Sequence, residues 1–303
     1  MHFKLYGHRG ARGLSPENSL PAYQTAIDIG VDFVDMDVTM TKDRVVVAQH
    51  DLSLNVDITR DQNEQWISYS KYIKEMNYSE LLTYDVGRIR PGTTYSSYFP
   101  SQTPVDHTHI PTLQEVIQFV KGEVGDRIQF QIEIKNDPEH PERGYSPAEL
   151  SHAVYDILKE ENIIPQCQIQ AFDWQCLLDL QAIDSRVATA YLTDSESEIK
   201  MRDKNPAIAG LWTAGYLVKN YKNSTAKMIK ALGGTLWDPQ DIEVTKDNLK
   251  EAHDLGLKVV TWSNPASGKD IDLKLTNELI EMGVDGVIVD RPDEVVKLWR
   301  MKN

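Results

Sequence analysis

Short runs of β-branched and aromatic residues alternate along this chain with longer stretches of helical period. Such alternation is typical of a parallel sheet with helices packed outside it. The predicted strands fall at residues 3–7, 33–38, 45–49, 128–135, 168–172, 187–192, 235–237, 258–262 and 286–289. With residues 45–49 taken as a hairpin partner of the second strand, this α/β pattern comes close to eight units. It therefore favours a closed (β/α)8 TIM barrel over an open sheet.

Helical stretches are predicted between most of these strands, among them residues 15–29, 113–120, 148–160, 174–182 and 246–255. In the first stretch, Ser15 is placed to cap the helix, Pro16 is its first residue and Gly30 lies just past its end. The first strand is not followed by a G-x-G-x-x-G sequence, which argues against a dinucleotide-binding fold.

Residues 52–110 interrupt the alternation of strands and helices and are too long for an ordinary connection. They contain a segment rich in Pro, Ser and Thr, and six of the thirteen tyrosines. We expect an insertion after the second strand, at the carboxyl-terminal face where barrel active sites form. The insertion would either cover a substrate or form a structural flap, and residues 1–303 would form one barrel domain with 52–110 as a subdomain.

The composition is that of a globular protein, with 41% hydrophobic and 26% charged residues. The net charge of −14 argues against nucleic acid and anionic membranes as partners. It does not exclude a small anionic substrate, because screening limits such effects to about 8 Å at physiological salt. Cys167 and Cys176 are too few for a disulfide framework or a zinc cage, and we expect two buried thiols.

Hydrophobic runs in the chain fall short of the roughly 18 residues that a membrane span requires. The first ten residues, MHFKLYGHRG, lack the apolar core of a secretory signal. The sequence as given is therefore expected to be soluble and cytoplasmic, or exported if a leader has been removed. The oligomeric state cannot be read from the sequence.

Three carboxylates are predicted to point into the barrel. On strand 33–38 the apolar positions alternate with Asp35 and Asp37, and on strand 128–135 Glu133 and Lys135 lie on the inward face near the carboxyl-terminal mouth. Buried carboxylates are costly unless positive charge lies between them. Oxygen ligands of this kind suit Mg²⁺ or Ca²⁺. The alternative is a polar layer neutralised by Lys135 and Arg9.

Two histidines also fall at strand ends. His8 follows the first strand and His50 follows the hairpin strand. A pair of histidines acting as acid and base would each contribute roughly 10²–10⁴ in rate. The planar guanidinium of Arg9, next to His8, is suited to phosphate oxygens. A phosphate-handling site at the mouth of the barrel is therefore predicted.

An ordered set of short motifs extends over nearly the whole chain. It consists of H-R-G at 8–10, P-E-N at 16–18, D-x-D at 35–37, T-K-D at 41–43, H-D at 50–51, IPTLQEV at 110–116, IEIK at 132–135, TWSN at 261–264 and GVDGVIVDRPD at 283–293. This set resembles the glycerophosphodiester phosphodiesterase family, whose fold is a phosphatidylinositol-phosphodiesterase-like TIM barrel. The resemblance is weakest in residues 52–110 and 194–234.

The resemblance implies metal-dependent hydrolysis of a small glycerophosphodiester to sn-glycerol 3-phosphate and an alcohol, with one divalent cation, Mg²⁺ or Ca²⁺, as cofactor. By motif position, His8 and His50 are the acid and base. The implied metal ligands are Asp35, Asp37 and Glu133, and the implied substrate-binding residues are Arg9, Lys135, Glu17 and Trp262. The residue pattern alone does not point to Glu17 or Trp262. The alternatives are that Glu17 is a first-turn acid favoured by the helix dipole and that Trp262 is an ordinary core aromatic.

The sequence departs from the family pattern at Asp35, where the family usually has Glu. The shorter side chain puts the identity and occupancy of the metal in question. Two other functions stay open. A lysophospholipase D or sphingomyelinase D-like enzyme would need an apolar trough for acyl chains, and a non-catalytic phosphodiester-binding barrel would be expected to lose a histidine or a carboxylate.

Overall fold

The computed structural model describes residues 3–265 and 270–302. Within them the chain forms a closed barrel of eight parallel strands, so the predicted (β/α)8 fold is confirmed. The barrel closes because β1 pairs with both β2 and β9. The short β3 runs antiparallel beside β2, as predicted for the hairpin. The strands are β1 Lys4–Gly7, β2 Phe33–Met40, β3 Val46–Ala48, β4 Gln129–Ile134, β5 Cys167–Ala171, β6 Ala188–Thr193, β7 Leu236–Pro239, β8 Lys258–Trp262 and β9 Gly286–Val289.

The helices in the described residues lie mainly between successive strands, with two short ones in residues 52–110. They are α1 Leu20–Ile29, α2 Tyr78–Leu81, α3 Thr94–Tyr98, α4 Leu113–Val124, α5 Pro147–Glu160, α6 Trp174–Ile183, α7 Ser195–Met201, α8 Pro206–Ala209, α9 Thr225–Ala231, α10 Lys246–Asp254, α11 Leu273–Met282 and α12 Pro292–Lys302. In the part of the chain that the structure describes, none of them is long and apolar enough to span a bilayer.

The predicted start of the first helix is wrong. Helix α1 begins at Leu20, and its cap is Ser19, whose Oγ accepts a hydrogen bond from the backbone N–H of Ala22. Ser15 instead pairs with Thr25, and Asn18 has a φ of 50°, in the left-handed region, which interrupts helical backbone before Ser19. The predicted end is confirmed, because Gly30 adopts a φ of 88° and its N–H reaches the last turn.

Strand register sets the level of the inward side chains. In the pairing of β2 with β4, Asp35 lies opposite Gln131 and Asp37 lies opposite Glu133. The apolar side chains of β2 belong to the main hydrophobic core between the sheet and the helices. The alternation therefore leaves the carboxylates inside the barrel, with Asp37 and Glu133 one layer nearer the carboxyl-terminal mouth.

Residues 52–110 carry part of a second hydrophobic cluster, centred on Leu54, Ile73, Met76 and Leu81 and packed on Val47 of β3. The division into a barrel domain and an insertion subdomain stays a prediction, and both ends of its range, residues 1–2 and 303, lie outside the described residues. Cys167 and Cys176 are buried free thiols, which confirms the expectation from the sequence.

Candidate active site

A cavity of about 340 Å³ opens at the carboxyl-terminal mouth of the barrel. It brings together residues that are far apart in the sequence. Six of the nine predicted site residues line it, namely His8, Arg9, His50, Glu133, Lys135 and Trp262. The other three, Asp35, Asp37 and Glu17, are buried and contact these lining residues or their backbone.

His8 is held by a carboxylate from the other end of the chain. Its Nδ1 lies 2.7 Å from Oδ1 of Asp290, which follows β9. Arg12 grips the same carboxylate through Nε at 2.8 Å and Nη2 at 3.0 Å. Burial and the neighbouring charge of Arg12 lower the pKa of His8 to about 4. The imidazole is therefore neutral at pH 7, and with Nδ1 engaged by Asp290, Nε2 is the nitrogen left for chemistry.

His50 repeats this arrangement next to its own carboxylate. Its Nδ1 lies 2.7 Å from Oδ1 of Asp51, the following residue, and about a third of its side chain is exposed. Burial and the charge of Arg9 lower its pKa, while Asp37 and Asp51 act in the opposite direction. Both histidines thus face one cavity with Nδ1 fixed by a carboxylate.

The loop after β1 folds tightly over the end of β2. Gly10 has a φ of 86°, and a Cβ at this position would lie 2.6 Å from the backbone of Ala22, so only glycine fits. This turn places the backbone N–H of Arg9 3.2 Å from Oδ2 of Asp35. The other oxygen of Asp35 accepts a 2.7 Å hydrogen bond from Nε2 of Gln170 on β5.

Asp37 and Glu133 share the next layer with two cations. Nε of Arg9 lies 3.1 Å from Oδ2 of Asp37, which also accepts a hydrogen bond from the amide of Asn18 at 2.9 Å. Nζ of Lys135 donates to Oε1 of Glu133 at 2.6 Å and lies 3.8 Å from Oδ1 of Asp37.

The three carboxyl groups do not ionise equally. Burial, together with the charge of Asp37, raises the pKa of Asp35, and it raises that of Glu133 to about 7. Burial acts the same way on Asp37, but Arg9 outweighs it and lowers the pKa of that carboxyl. Two acids in the cluster thus hold their protons more tightly than usual because they are buried and lie beside another carboxylate.

The cluster was tested as a metal site by its donors and charge. Hard oxygen donors on neighbouring strands, with raised carboxyl pKa values, fit a divalent cation. Among the described residues, however, no group of three His, Cys, Asp or Glu side chains has the geometry to hold one. The carboxyl oxygens instead contact N–H donors of Arg9, Asn18, Lys135 and Gln170. The carboxyl oxygens are therefore ligands of the kind that a divalent cation binds. In this structure, however, the side chains are arranged so that these oxygens contact N–H donors of the protein.

Residues of the insertion contribute directly to this site. Nη1 of Arg9 donates to Oε1 of Glu17 at 2.7 Å, and the hydroxyl of Tyr95 on α3 donates to the other oxygen of Glu17. Tyr95 and Tyr98 also line the cavity. Glu17 therefore acts as a link between the guanidinium of Arg9 and the insertion.

Two aromatic rings form the wall on the opposite side. Trp262 lies edge-on to Phe172 with ring centroids 5.7 Å apart, and its Nε1 donates to the carbonyl of Thr193 at 3.2 Å. Nζ of Lys135 lies 6.0 Å from the centroid of Phe172.

An amide network continues beneath the cavity. Nε2 of Gln131 donates to Gln170 at 2.9 Å and to Oδ2 of Asp238 at 2.7 Å, and all three side chains are buried. Among the described residues, Oε1 of Gln131 and Oδ1 of Asp238 have no partner. Burial raises the pKa of Asp238 well above its usual value. In its protonated form this acid has an O–H group that can donate a hydrogen bond.

Sequence reasoning missed five residues of this site. Arg12 lies four residues after His8 in the same loop, and Asp290 directly follows a buried strand at the same barrel end, so both carry a weak signal. Asp51 belongs to the H-D motif at residues 50–51, which by itself assigns it no role. Gln170 and Tyr95 gave no local signal.

Comparisons with known proteins agree with one another. The family model described as glycerophosphoryl diester phosphodiesterase family matches residues 8–294. A glycerophosphodiester phosphodiesterase of Bacillus subtilis is 23% identical over 289 residues, which cover 94% of this chain and 83% of that protein.

Two solved structures extend this likeness to the fold. A crystal structure of a candidate glycerophosphoryl diester phosphodiesterase from Silicibacter pomeroyi matches with a TM-score of 0.84 at 28% identity, covering 98% of this chain and 94% of the other. A phosphodiesterase from Oleispira antarctica, solved in complex with the product sn-glycerol-3-phosphate, matches with a TM-score of 0.68 at 19% identity, covering 98% and 96%. The second likeness shows the fold alone.

Proposed function

Because the chain belongs to the glycerophosphoryl diester phosphodiesterase family and is an enzyme that hydrolyses glycerophosphodiesters, we propose how its own residues carry out that reaction. The products are sn-glycerol 3-phosphate and an alcohol. The observation that carries the proposal is the pair His8 and His50. Both line one cavity, each has Nδ1 on a carboxylate at 2.7 Å, and two cationic side chains lie beside them.

The substrate phosphoryl group binds Arg9 and Lys135. Its negatively charged oxygens contact the guanidinium of Arg9 and the ammonium of Lys135. They replace part of the contacts that these two cations make with Glu17 and Glu133. Glu17 accepts a hydrogen bond from Nη1 of Arg9 at 2.7 Å and so keeps the guanidinium oriented. The N–H donors in the plane of the guanidinium can then meet the phosphoryl oxygens. Trp262 forms the wall on the glycerol side.

His8 acts as the base and His50 as the acid. Burial and the charge of Arg12 favour the neutral form of His8, which is the form that can take a proton. Nε2 of His8 takes it from the attacking hydroxyl. Water as the nucleophile gives sn-glycerol 3-phosphate directly, whereas the glycerol C2 hydroxyl gives a cyclic phosphodiester that a water molecule then opens to the same product. The new P–O bond forms as the bond to the alcohol breaks. His50 acts in its protonated imidazolium form, which Asp37 and Asp51 favour, and gives its Nε2 proton to the departing alcohol oxygen.

Asp35, Asp37 and Glu133 would hold one divalent cation, and both Mg²⁺ and Ca²⁺ accept such donors. When bound, the cation supplies positive charge that stabilises the charge developing on the phosphoryl oxygens. With all three carboxyls ionised against Arg9 and Lys135, the site would carry a net charge of −1 without the cation. Its raised carboxyl pKa values support a place for added positive charge.

We further propose that residues 52–110 form a subdomain that covers the substrate, because Asn55, Tyr95 and Tyr98 line the cavity. A lysophospholipase D or sphingomyelinase D-like reaction would use the same histidines. The polar and charged side chains around most of this cavity favour a short polar diester over a lipid with an acyl chain. The presence of both histidines and all three carboxyls supports catalysis rather than binding alone.

The histidine pair is tested with His8→Ala and His50→Ala, assayed by release of sn-glycerol 3-phosphate from glycerophosphocholine. Each variant is expected to lose at least about 10² in kcat. His152→Ala is the matched control, since His152 is exposed on α5 and its Nδ1 contacts the carbonyl of Ala148 in the same helix. Retention of near-wild-type turnover by both variants, with unchanged circular dichroism, would contradict the proposal.

A further inference from the structure

A second cavity of about 240 Å³, which we call the side cavity, adjoins the catalytic one. The two share Glu133, Lys135, Phe172 and Asp194 in their walls. A substrate whose phosphoryl group lies at Lys135 therefore has direct access to the side cavity. This makes it a place for one of the two groups that the phosphodiester joins.

The outer wall of the side cavity is formed by the connection between β6 and β7. Glu196 and Lys200 lie on α7, and Trp212 follows α8. These residues fall within 194–234, where the motifs quoted above are weakest. The shared motifs therefore do not determine which residues form this wall of the side cavity.

The side cavity already accommodates an ammonium group of the protein itself. Nζ of Lys200 lies 2.5 Å from Oε1 of Glu139, 2.8 Å from Oε1 of Glu196 and 5.7 Å from the ring centroid of Trp212. Nε1 of Trp212 donates to the same oxygen of Glu139 at 2.9 Å. Carboxylates and an aromatic face are the surroundings that stabilise ammonium ions.

The charge balance leaves room for another cation. The outer part of the cavity is lined by the carboxylates Asp194 and Glu196 against the single ammonium of Lys200, a net charge of −1. Glu139 does not line the cavity, but its carboxylate contacts Lys200 and neutralises that ammonium further. Phe172, on the boundary with the catalytic cavity, offers a second ring, with Nζ of Lys135 6.0 Å from its centroid. An anionic group would be repelled there, and a neutral group would gain less than a cation.

We propose that the side cavity binds the leaving alcohol and favours an alcohol that carries an ammonium group, such as choline or ethanolamine. The volume admits a headgroup of this size but not an acyl chain. The ammonium would lie between Asp194, Glu196 and the rings of Phe172 and Trp212 while the phosphoryl group contacts Lys135. This inference rests on the proposed function, because it assigns a subsite for that same substrate.

The test compares glycerophosphocholine with glycerophosphoglycerol, whose leaving alcohol is neutral and whose diester charge is the same. The expected ratio of their kcat/KM values is about ten in favour of the choline substrate, through KM. Glu196→Gln and Trp212→Leu should each lower this ratio about threefold or more. Glu160→Gln, an exposed charge change at the end of α5, should leave it unchanged.

Equal kcat/KM for the two substrates in the wild-type enzyme would overturn the inference while leaving the proposed function intact. Variants that lose both activities in equal proportion would also overturn it. Glu196 is three-quarters exposed, so its substitution tests the charge even if Trp212→Leu fails to fold. Absence of turnover on both substrates would instead refute the proposed function, and the subsite inference with it.

Discussion

Replacement of Glu133 by Gln should stabilise the metal-free protein at alkaline pH. Glu133 is 8% exposed, and its pKa is raised from 4.5 to about 7 by burial and by the charge of Asp37. Below pH 4.5 the carboxyl is neutral in both folded and unfolded chains. As the pH rises toward 7, only the unfolded chain loses this proton, so stability falls; above 7 the cost is constant.

The size of the effect follows from the distance between the two pKa values. Each pH unit between them is worth about 1.4 kcal/mol, so ionised Glu133 costs roughly 3 kcal/mol at pH 8. Glutamine keeps the shape and avoids the charge. Because Lys135 loses its partner in the variant, we expect a net gain of about 1–2 kcal/mol at pH 8 and little change at pH 5.

The assay is thermal unfolding of the wild type and Glu133→Gln in EDTA at pH 5 and pH 8, followed by addition of Mg²⁺ or Ca²⁺. In EDTA at pH 8 the variant should melt at least about 2 °C higher than the wild type. An added cation should raise the Tm of the wild type at pH 8 more than that of the variant, since it binds the ionised carboxyl.

Glu243→Gln is the matched control. Burial and the charge of Glu198 also raise the pKa of Glu243 to about 7, but this carboxyl lies outside the catalytic cavity. Its removal should flatten the pH dependence of Tm without changing the response to the cation. The reasoning would be refuted if Glu133→Gln melted below the wild type at pH 8 in EDTA, or if both variants responded to the cation like the wild type.

Two further substitutions test the groups that position the catalytic residues. Asp290→Asn should lower kcat by at least about 10² with little change in KM, because the amide no longer fixes the proton of His8 on Nδ1; a loss confined to KM would contradict this. Tyr95→Phe should raise KM several-fold with kcat retained, because Glu17 loses a hydrogen bond and holds Arg9 less firmly; unchanged KM in steady-state assays would show that the insertion does not support the phosphate site.

The barrel could be predicted because short stretches of the sequence show the alternation of strand and helix periods. The error at α1 has a tertiary cause. Ser15 directly precedes Pro16, Ser19 lies two residues before Pro21, and either serine can cap a helix. The choice of Ser19 depends on Asn18, whose side chain donates to Asp37 and whose left-handed backbone separates the loop from the helix. Rules that predict the start of a helix from local residue preferences do not take this tertiary contact into account.

The candidate site likewise contains some residues that the local sequence predicts and others that it does not. Asp35, Asp37 and Glu133 followed from the two-residue period of strands whose other face is apolar. Asp290 contacts His8 across 282 residues, and Tyr95 contacts Glu17 across 78. The first contact exists only because the last strand closes the barrel against β1, and the second only because the insertion folds back over the mouth. Neither event leaves a periodic mark near the residue concerned.

Asp35, which is shorter by one methylene than the family's usual Glu, is explained by its partner across the barrel. Gln170 on β5 reaches one oxygen of Asp35 at 2.7 Å, and the amide of Gln131 holds Gln170 in turn. The other oxygen of Asp35 is taken by the backbone of Arg9. Both oxygens of this acid thus have protein donors, and its negative charge is partly compensated without a cation. Among the described residues, Asp37 and Glu133 form their ion pairs with Arg9 and Lys135, the groups that we propose bind the phosphoryl group. Cation affinity in this chain should therefore depend more on Asp37 and Glu133 than on Asp35.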